Sequence, residues 1–419
     1  MNRLLSNQLL AGFTVLILAI PLSLAGQIEG CTDPQATNYD PEATQNDGSC
    51  FYPETFFTPD QYLVLPSTLD ETSGLIYWAG GIWTFNDSGG DPRVYKVDTV
   101  SGEIIQHVTL ANGDNVDWED IAQDDDHIYI GDFGNNGGNR KDLLIYKIAK
   151  ADIPPEENVE VNAEIISFEY ADQQSFTTQF NAHEYDCEAM ISVGGMLYLF
   201  TKNWLSETTR LYELSTEAGS YSILPIDTLN ASGLVTGAAY SNELRQVVLS
   251  GYSNFIPFIF LLFDYQENSF FSGNKRRIGL TGMIAVQTEG ICFKEGYRTF
   301  LSCEKSAVPQ QLYTFSTEEW TYTASTDILE HPGGLSIEVI PNPVAGGNFE
   351  VLIHAPVKNT CQLNLYDSSG KVVFNREYAL KPGGTKNTLQ VRVPEINPGI
   401  YILHILSGEF SAIEKIAIQ

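Results

Sequence analysis

The sequence predicts an all-β protein: a five-bladed β-propeller, with a sixth degenerate blade left open, followed by a small Ig-like β-sandwich. Three observations lead there. One strand pattern recurs five times between residues 71 and 315, and helical periodicity is almost absent along the chain. From Leu335 onward the composition shifts to short alternating strands broken by Gly, Pro and Asn turns.

Residues 1–26 read as a removed secretory signal, with Arg3 ahead of an apolar run from Leu9 to Leu24 and small residues Ser23, Ala25 and Gly26 at the cleavage point. Cys31 stands five positions past Gly26, which argues against a lipoprotein anchor. The apolar stretch Phe255–Phe263 is far shorter than the roughly 20 residues a spanning helix needs, so no transmembrane segment is expected in the mature chain.

Residues 27–53 contain GCTDPQATNYDPEATQNDGSCFY, a Pro-, Asn- and Asp-rich stretch too short to bury a core, which a Cys31–Cys50 bridge would hold together. It resembles a short cysteine-paired module of secreted Bacteroidetes proteins, matching at Cys31-Thr32-Asp33-Pro34, Asn38-Tyr39 and Asp47-Gly48-Ser49-Cys50. The resemblance implies a spacer, with an independent, calcium-binding module as the alternative. Cys292 and Cys303 flank an expected hairpin, which suggests a second bridge, whereas Cys187 and Cys361 have no evident partner.

The net charge of −30 is uneven: residues 333–419 hold seven Lys/Arg against seven Asp/Glu, and 31–332 hold 15 against 45. All the excess acid therefore lies in the repeat region and its N-terminal leader. That excludes nucleic acid as a partner and favours cation binding or solubility.

The repeats, placed in a propeller over 54–330, begin ETSGLIYWAGG at 71, DWEDIAQDDD at 117, DCEAMISVGG at 186, VTGAAYSNEL at 235 and TEGICFKEG at 288. Each holds a short strand, a polar turn, a β-branched or aromatic strand, a polar loop and a third strand ending near a Leu-Tyr or Val-Tyr pair. Segments such as GEIIQHVTL and EIISFEYA supply a fourth strand. QYLVLPSTL, ahead of the first copy, is expected to complete the fifth and close the ring. EEWTYT at 318–323 is the alternative that would leave a sixth blade. The long interval before the third copy places an insertion around Ala171–Tyr185.

In a propeller the first strand of each blade lines the axis, so equivalent positions at its head form a ring. Alignment puts Ser73, Glu119, Glu188, Thr236 and Glu289 in that ring. Three carboxylates in a narrow tunnel repel unless a cation or protons compensate, and an all-oxygen donor set suits Ca²⁺. The alternative is that these side chains bond to the backbone and hold only water.

The blade openings ETSGL, WEDIA, CEAM, VTGAAY and TEGICF resemble those of calcium-activated apyrases, five-bladed propellers with an axial Ca²⁺ that hydrolyse nucleoside di- and triphosphates. They are also similar to the esterase-like phytase and SdiA-regulated propeller families. Two features depart from the apyrase pattern: Thr236 replaces Ser, and long basic substrate loops are not evident. The loops joining second and third strands share the ring's end, because alternate strands run oppositely. They bring Asp87, Arg93, Asp132, Arg140, Lys202, Trp204 and Lys305 to a candidate ligand-binding face for a surface ligand or small phosphorylated molecule. Ion pairs between these bases and neighbouring acids are the plainer alternative. No nucleophile elbow, phosphate loop, dinucleotide fingerprint or zinc-protease pair is present; His183-Glu184 lacks a second His. If there is chemistry, the residues permit a Ca²⁺-held water with Asp87 or Asp132 as base.

Residues 335–419 closely resemble the type IX secretion system C-terminal sorting domain. The match lies at Pro341-Asn342-Pro343, Tyr366-Asp367 with Gly370-Lys371-Val372-Val373, Asn397-Pro398-Gly399-Ile400-Tyr401, and Lys415 in the last strand. The resemblance implies the type IX machinery as partner and delivery across the outer membrane. The functional expectation is a surface binding or envelope module with an axial calcium site; the alternatives are a calcium-dependent phosphohydrolase and a structural or adhesion component.

Overall fold

The computed structural model describes residues 27–283, 285–321, 336–344, 346–354, 360–367, 371–381, 386–393, 396–407 and 410–418. The expected signal peptide, 1–26, lies outside them. The chain divides into two compact units, 1–322 and 323–419. Among the described residues no helix is long and apolar enough to cross a membrane.

The first unit opens with β1 (Glu29–Gly30) paired in parallel with β2 (Gln45–Asn46), then β3 (Thr55–Phe57) and β4 (Asp60–Val64). The first repeat folds as an antiparallel meander of β5 (Ile76–Trp78), β6 (Gly81–Thr84), β7 (Arg93–Asp98) and β8 (Ile104–Leu110). The second runs through β9 (Trp118–Gln123), β10 (His127–Asp132) and β11 (Leu144–Ala149). Next β12 (Asn158–Val161) returns to pair in parallel with β8, before β13 (Glu164–Tyr170) completes the second sheet. The long interval between the second and third repeats thus holds this returning strand as well as the loop that follows β13.

The third sheet is β14 (Cys187–Val193), β15 (Met196–Thr201), β16 (Thr208–Ser215) and β18 (Pro225–Asn230), while β17 (Gly219–Ile223) reaches back to pair in parallel with β13. The fourth is β19 (Leu234–Ser241), β20 (Gln246–Ser253), β21 (Ile256–Phe263) and β22 (Asn274–Leu280), with β3 added in parallel at its edge. The fifth joins β23 (Thr288–Glu295), β24 (Arg298–Cys303) and β25 (Gln311–Ser316) to β4 from the N-terminus. The strand expected to close the last repeat does so. Glu318–Thr321 is a single helical turn rather than the strand a sixth repeat would need.

The first strands β5, β9, β14, β19 and β23 pack in succession, and β23 packs back on β5. Each sheet is covered on both faces by its neighbours, so central strands read as continuous apolar runs rather than alternating ones. β21 shows this. Ile259, Leu261 and Phe263 enter the core shared with the fifth sheet, whereas Phe258, Phe260 and Leu262 enter the core shared with the third. The apolar stretch that looked too short for a membrane is a strand buried on both sides. The inner strands approach so closely that a Cβ on Gly290 would stand 2.4 Å from the Ser73 carbonyl oxygen, which excludes any side chain there.

The cysteine-clamped segment is seated on the repeats. Cys31 and Cys50 form the expected disulfide, and Cys31, Ala36, Cys50 and Tyr52 join the core containing Ile259 and Leu261. Polar contacts complete the seat. Asn46 Nδ2 donates to the side-chain oxygens of Asp264 and Asn274, Lys275 Nζ donates to the Gly48 carbonyl at 3.0 Å, and Arg276 donates to Gln35 Oε1 at 2.6 Å. The expected second bridge is not formed: Cys292 lies opposite Phe300 and Cys303 opposite Thr288, so the hairpin register keeps the two thiols apart.

The second unit has two antiparallel sheets. One is β26 (Ser336–Ile340), β27 (Asn348–His354) and β30 (Lys386–Arg392); the other orders β29 (Val372–Ala379), β28 (Thr360–Tyr366), β31 (Gly399–Ser407) and β32 (Phe410–Ile418). Val351, Ile353, Leu363, Leu365, Leu403 and Ile405, from both sheets, share one buried core. The sequence motifs of this unit turn out to be structural. Asn342 accepts from the Ala417 amide at 3.0 Å and donates to the Lys415 carbonyl at 2.9 Å, tying the Pro-Asn-Pro turn to the last strand.

Candidate functional site

A β-bulge recurs where the ring was expected. In the second sheet Trp118 pairs with Asp132 and Asp120 with Gly131, leaving Glu119 as the extra residue. Glu188 is skipped between Cys187 and Ala189, Thr236 between Val235 and Gly237, and Glu289 falls within the shift between Thr288 and Ile291. A bulge turns one side chain out of the regular alternation and re-aims it. Four of the five aligned positions are therefore equivalent in structure as well as in sequence.

Each of the five is buried. The two hydroxyls are committed to the backbone of the next sheet: Ser73 Oγ donates to the Glu119 carbonyl at 2.5 Å, and Thr236 Oγ1 to the Thr288 carbonyl at 2.7 Å. The carboxylates lie within electrostatic reach of one another and of Lys202, whose Nζ is 3.1 Å from Glu188 Oε1. Burial, reinforced by Glu188, pushes Glu119 well above the usual carboxylate range. Burial also raises Glu289, against the pull of Lys202. Glu188 is pushed up to about 8 by burial even though Lys202 opposes the shift. Burial would lower the Lys202 ammonium, but Glu188, Tyr252, Glu289 and Asp186 outweigh it and hold the lysine charged.

Further acids surround this centre. Asp117 and Glu119 both reach within 2.5 Å of the point where a Cβ on Gly134 would stand, so the glycine leaves room for two neighbouring carboxylates. Burial, then Asp186, raises Asp117 to about 6, and burial, then Asp87, raises Glu304 to about 7. Asp186 is satisfied by the Asn135 amide at 2.6 Å and the Trp204 indole at 2.8 Å. Glu289 is only 6% exposed; its carbonyl accepts from Ser250 Oγ at 2.7 Å, while its carboxylate accepts no hydrogen bond among the described residues.

Of the expected ligand-binding face, Asp87, Lys202 and Trp204 gather at this centre. Burial raises Asp87, and Lys202 draws it back; the Trp204 ring lies 4.9 Å from Lys202 Nζ. Asp132 and Arg140 pair at 2.9 Å, and Asp132 accepts from the Val116 and Asp117 amides, so it shapes the approach to β9. Arg93 pairs with Asp91 at 3.3 Å and Lys305 with Asp70 at 3.6 Å. All four bases of that face are thus ion-paired within the chain. His183 is held in its loop: its Nδ1 accepts from the Tyr185 amide at 3.1 Å, which makes Nε2 the donor to the Asn136 carbonyl at 3.1 Å.

Sequence alignment missed Asp120. Fully buried beside Glu119, it accepts from the amides of Met190 at 2.7 Å, Ile121 at 2.9 Å and Ala238 at 3.3 Å, stapling β9 to β14 and β19. Burial pushes its carboxyl well above the usual range while the three amides resist. The only signal was an Asp in mid-strand within WEDIA, since the residues that satisfy it lie 70 and 118 positions away.

The donor chemistry fits a hard cation: carboxylate oxygens on three buried glutamates, Glu119, Glu188 and Glu289, none of whose carboxylates accepts from a backbone amide among the described residues. The geometry, however, is held by Lys202, and among the described residues no three His, Cys, Asp or Glu side chains are grouped as a metal shell.

Comparisons with known proteins bear unequally on the two units. The chain shows 79% identity over 24 residues to ribulose bisphosphate carboxylase/oxygenase activase 1, chloroplastic, of Larrea tridentata, and so spans 5% of that curated relative and 6% of itself. Among solved structures, a glucose dehydrogenase is 9% identical, covering 62% of this chain and 99% of that one at a TM-score of 0.40. The exo-β-1,3-galactanase of Phanerochaete chrysosporium is 10% identical over 85% and 99% at 0.37, and a GH43_1 enzyme from Xanthomonas citri 11% identical over 61% and 90% at 0.37. At such scores these are distant likenesses only. Residues 338–419, by contrast, match the secretion system C-terminal sorting domain family. That domain marks the chain as one exported through the type IX secretion system to the cell surface or the extracellular space.

Proposed function

We propose that the first unit is a five-bladed β-propeller displayed outside the cell as a binding module, and that its axial carboxylates take up a hard cation, calcium by the chemistry of the donors. The observation that carries this reading is the bulge repeated at Glu119, Glu188, Thr236 and Glu289, which aims equivalent side chains from four sheets toward one centre. The closed succession of inner strands supports the propeller, and the shared core of the two C-terminal sheets supports an Ig-like sandwich behind it. One internal lysine faces at least six carboxylates, Glu119, Glu188, Glu289, Asp87, Asp186 and Glu304, whose mutual repulsion a divalent ion would relieve. Glu119, Glu188 and Glu289 would hold the ion. Bound there, it supplies a fixed positive charge at the mouth against which an anionic or oxygen-rich group can dock. The phosphohydrolase alternative gains nothing from the geometry, because Arg93, Arg140, Lys202 and Lys305 are paired with the chain's own acids.

Thermal melts with calcium and with chelator test this directly. A ligand confined to the folded state stabilises it by about 2.7 kcal/mol at roughly a hundredfold excess over Kd, so chelation should lower the melting temperature. Glu289→Gln should shrink that difference. A melt indifferent to chelator, with no calcium found by elemental analysis, would overturn the reading.

A further inference from the structure

Lys202 is placed unlike any other base of the chain. It leaves the end of β15 and is 7% exposed. Its ammonium lies 3.1 Å from Glu188 Oε1, between the rings of Trp204 at 4.9 Å and Tyr252 at 5.7 Å. The other cations of this end pair at the edge of the cluster, with Asp132, Asp91 or Asp70. Among the described residues Lys202 alone forms an ion pair with a ring carboxylate, and it feels Glu289 and Asp186 as well as Glu188. A buried carboxylate set with an ammonium inside it is already charge-compensated in part. A second cation cannot share Glu188 with it at close range, because two positive charges a few ångströms apart in a poorly hydrated site repel strongly.

We infer that Lys202 is a built-in competitor for the axial site, so that a divalent ion binds the carboxylates only by displacing the chain's own ammonium. The inference rests on the cation-binding reading above and specifies how that site is regulated. Lysine is suited to such a task, since its charge rides on a flexible stem that swings without disturbing the strand. Trp204 and Tyr252 give the ammonium an aromatic resting place beside the carboxylate, worth enough in a desolvated site to hold it there when no ion is present. Affinity for the ion is then the difference between two cations' claims on Glu188, and the site responds to calcium concentration without staying permanently loaded.

Two measurements decide it. Calorimetric titration of calcium into wild type, Lys202→Met and Lys202→Arg should give the Met variant roughly ten-fold or more tighter binding, since a unit charge a few ångströms from the ion is gone, and the Arg variant an affinity near wild type. In the wild-type protein, acylation of Lys202 by an amine-reactive ester, read by peptide mass spectrometry, should rise when calcium is added and fall with chelator. The labelling experiment stands even if Lys202→Met folds only in calcium, an outcome that would itself support competition. Calcium binding of equal affinity in wild type and Lys202→Met, or labelling unchanged at saturating calcium, sinks this inference and leaves the cation site intact. Binding by Lys202→Met alone supports the competition and overturns the site in the native chain; binding by neither overturns both.

Discussion

Glu188 sits against Lys202, and among the described residues its neighbours Glu119 and Glu289 carry no positive partner of their own at contact distance. Burial is the first cause of every raised acid here, with Glu188 at about 8, Glu304 at about 7 and Asp117 at about 6. These values set the sign of the pH dependence. Between the ordinary carboxylate range and about 8 the folded chain holds protons that the unfolded chain has released, so stability falls as pH rises through that window. Melting temperature in chelator should therefore decline from about pH 5 to about pH 8, and calcium should flatten the decline. A profile that is flat or rising in chelator would contradict it. The candidate carboxylates were legible in the sequence because each opens a repeated strand. The same repeat pattern brought Lys202 to the ring's end, with pairing to neighbouring acids as the plainer alternative; which acid it meets was not legible, since Lys202 follows the second strand of the third repeat and its register against Glu188 is set only in the fold.

At the scale of elements, two devices hold the ring. The bulges re-aim one residue per inner strand, and the N-terminal segment clasps the fourth and fifth sheets through β3 and β4. The Cys31–Cys50 disulfide, with 19 residues of separation, staples the segment just ahead of those strands. In the chain-entropy account such a loop is worth about 3 kcal/mol. Replacing both cysteines by serine should lower the denaturation midpoint, and a reductant should do the same to wild type, because loosening the clasp frees the strands that complete two sheets. An unchanged midpoint in the variant would show that the seat on Asp264, Lys275 and Arg276 suffices without the bridge. The sequence predicted both the bridge and the closing strand, the latter because the fifth repeat lacked a fourth strand and the N-terminus supplied a spare one. Docking of the clamped segment was not legible, as its partners lie more than 200 residues away.

For the whole molecule, the chain's entire net charge of −30 lies upstream of residue 333, and the sorting domain that follows is neutral. On the function proposed above, export and binding fall to separate units. Removing residues 338–419 should strand the first unit in the periplasm of a host with the type IX system, read by cell fractionation, while its calcium response stays as in the full chain; surface delivery of the truncated protein would refute the assignment. What the sequence by itself determined was the β class, the five repeats with their aligned openings, the disulfide and the sorting domain. All of these are written in local alternation, turn residues and short motifs that need no knowledge of the fold. Tertiary structure alone decided that Lys202 pairs with Glu188, that Asp120 staples three inner strands, that the clamped segment is seated on the fourth sheet, and that Cys292 and Cys303 stay apart. Each of these depends on register or ring closure. Such contacts join residues that local pattern leaves independent, and burial of charge in the centre they enclose exists only once the ring has closed.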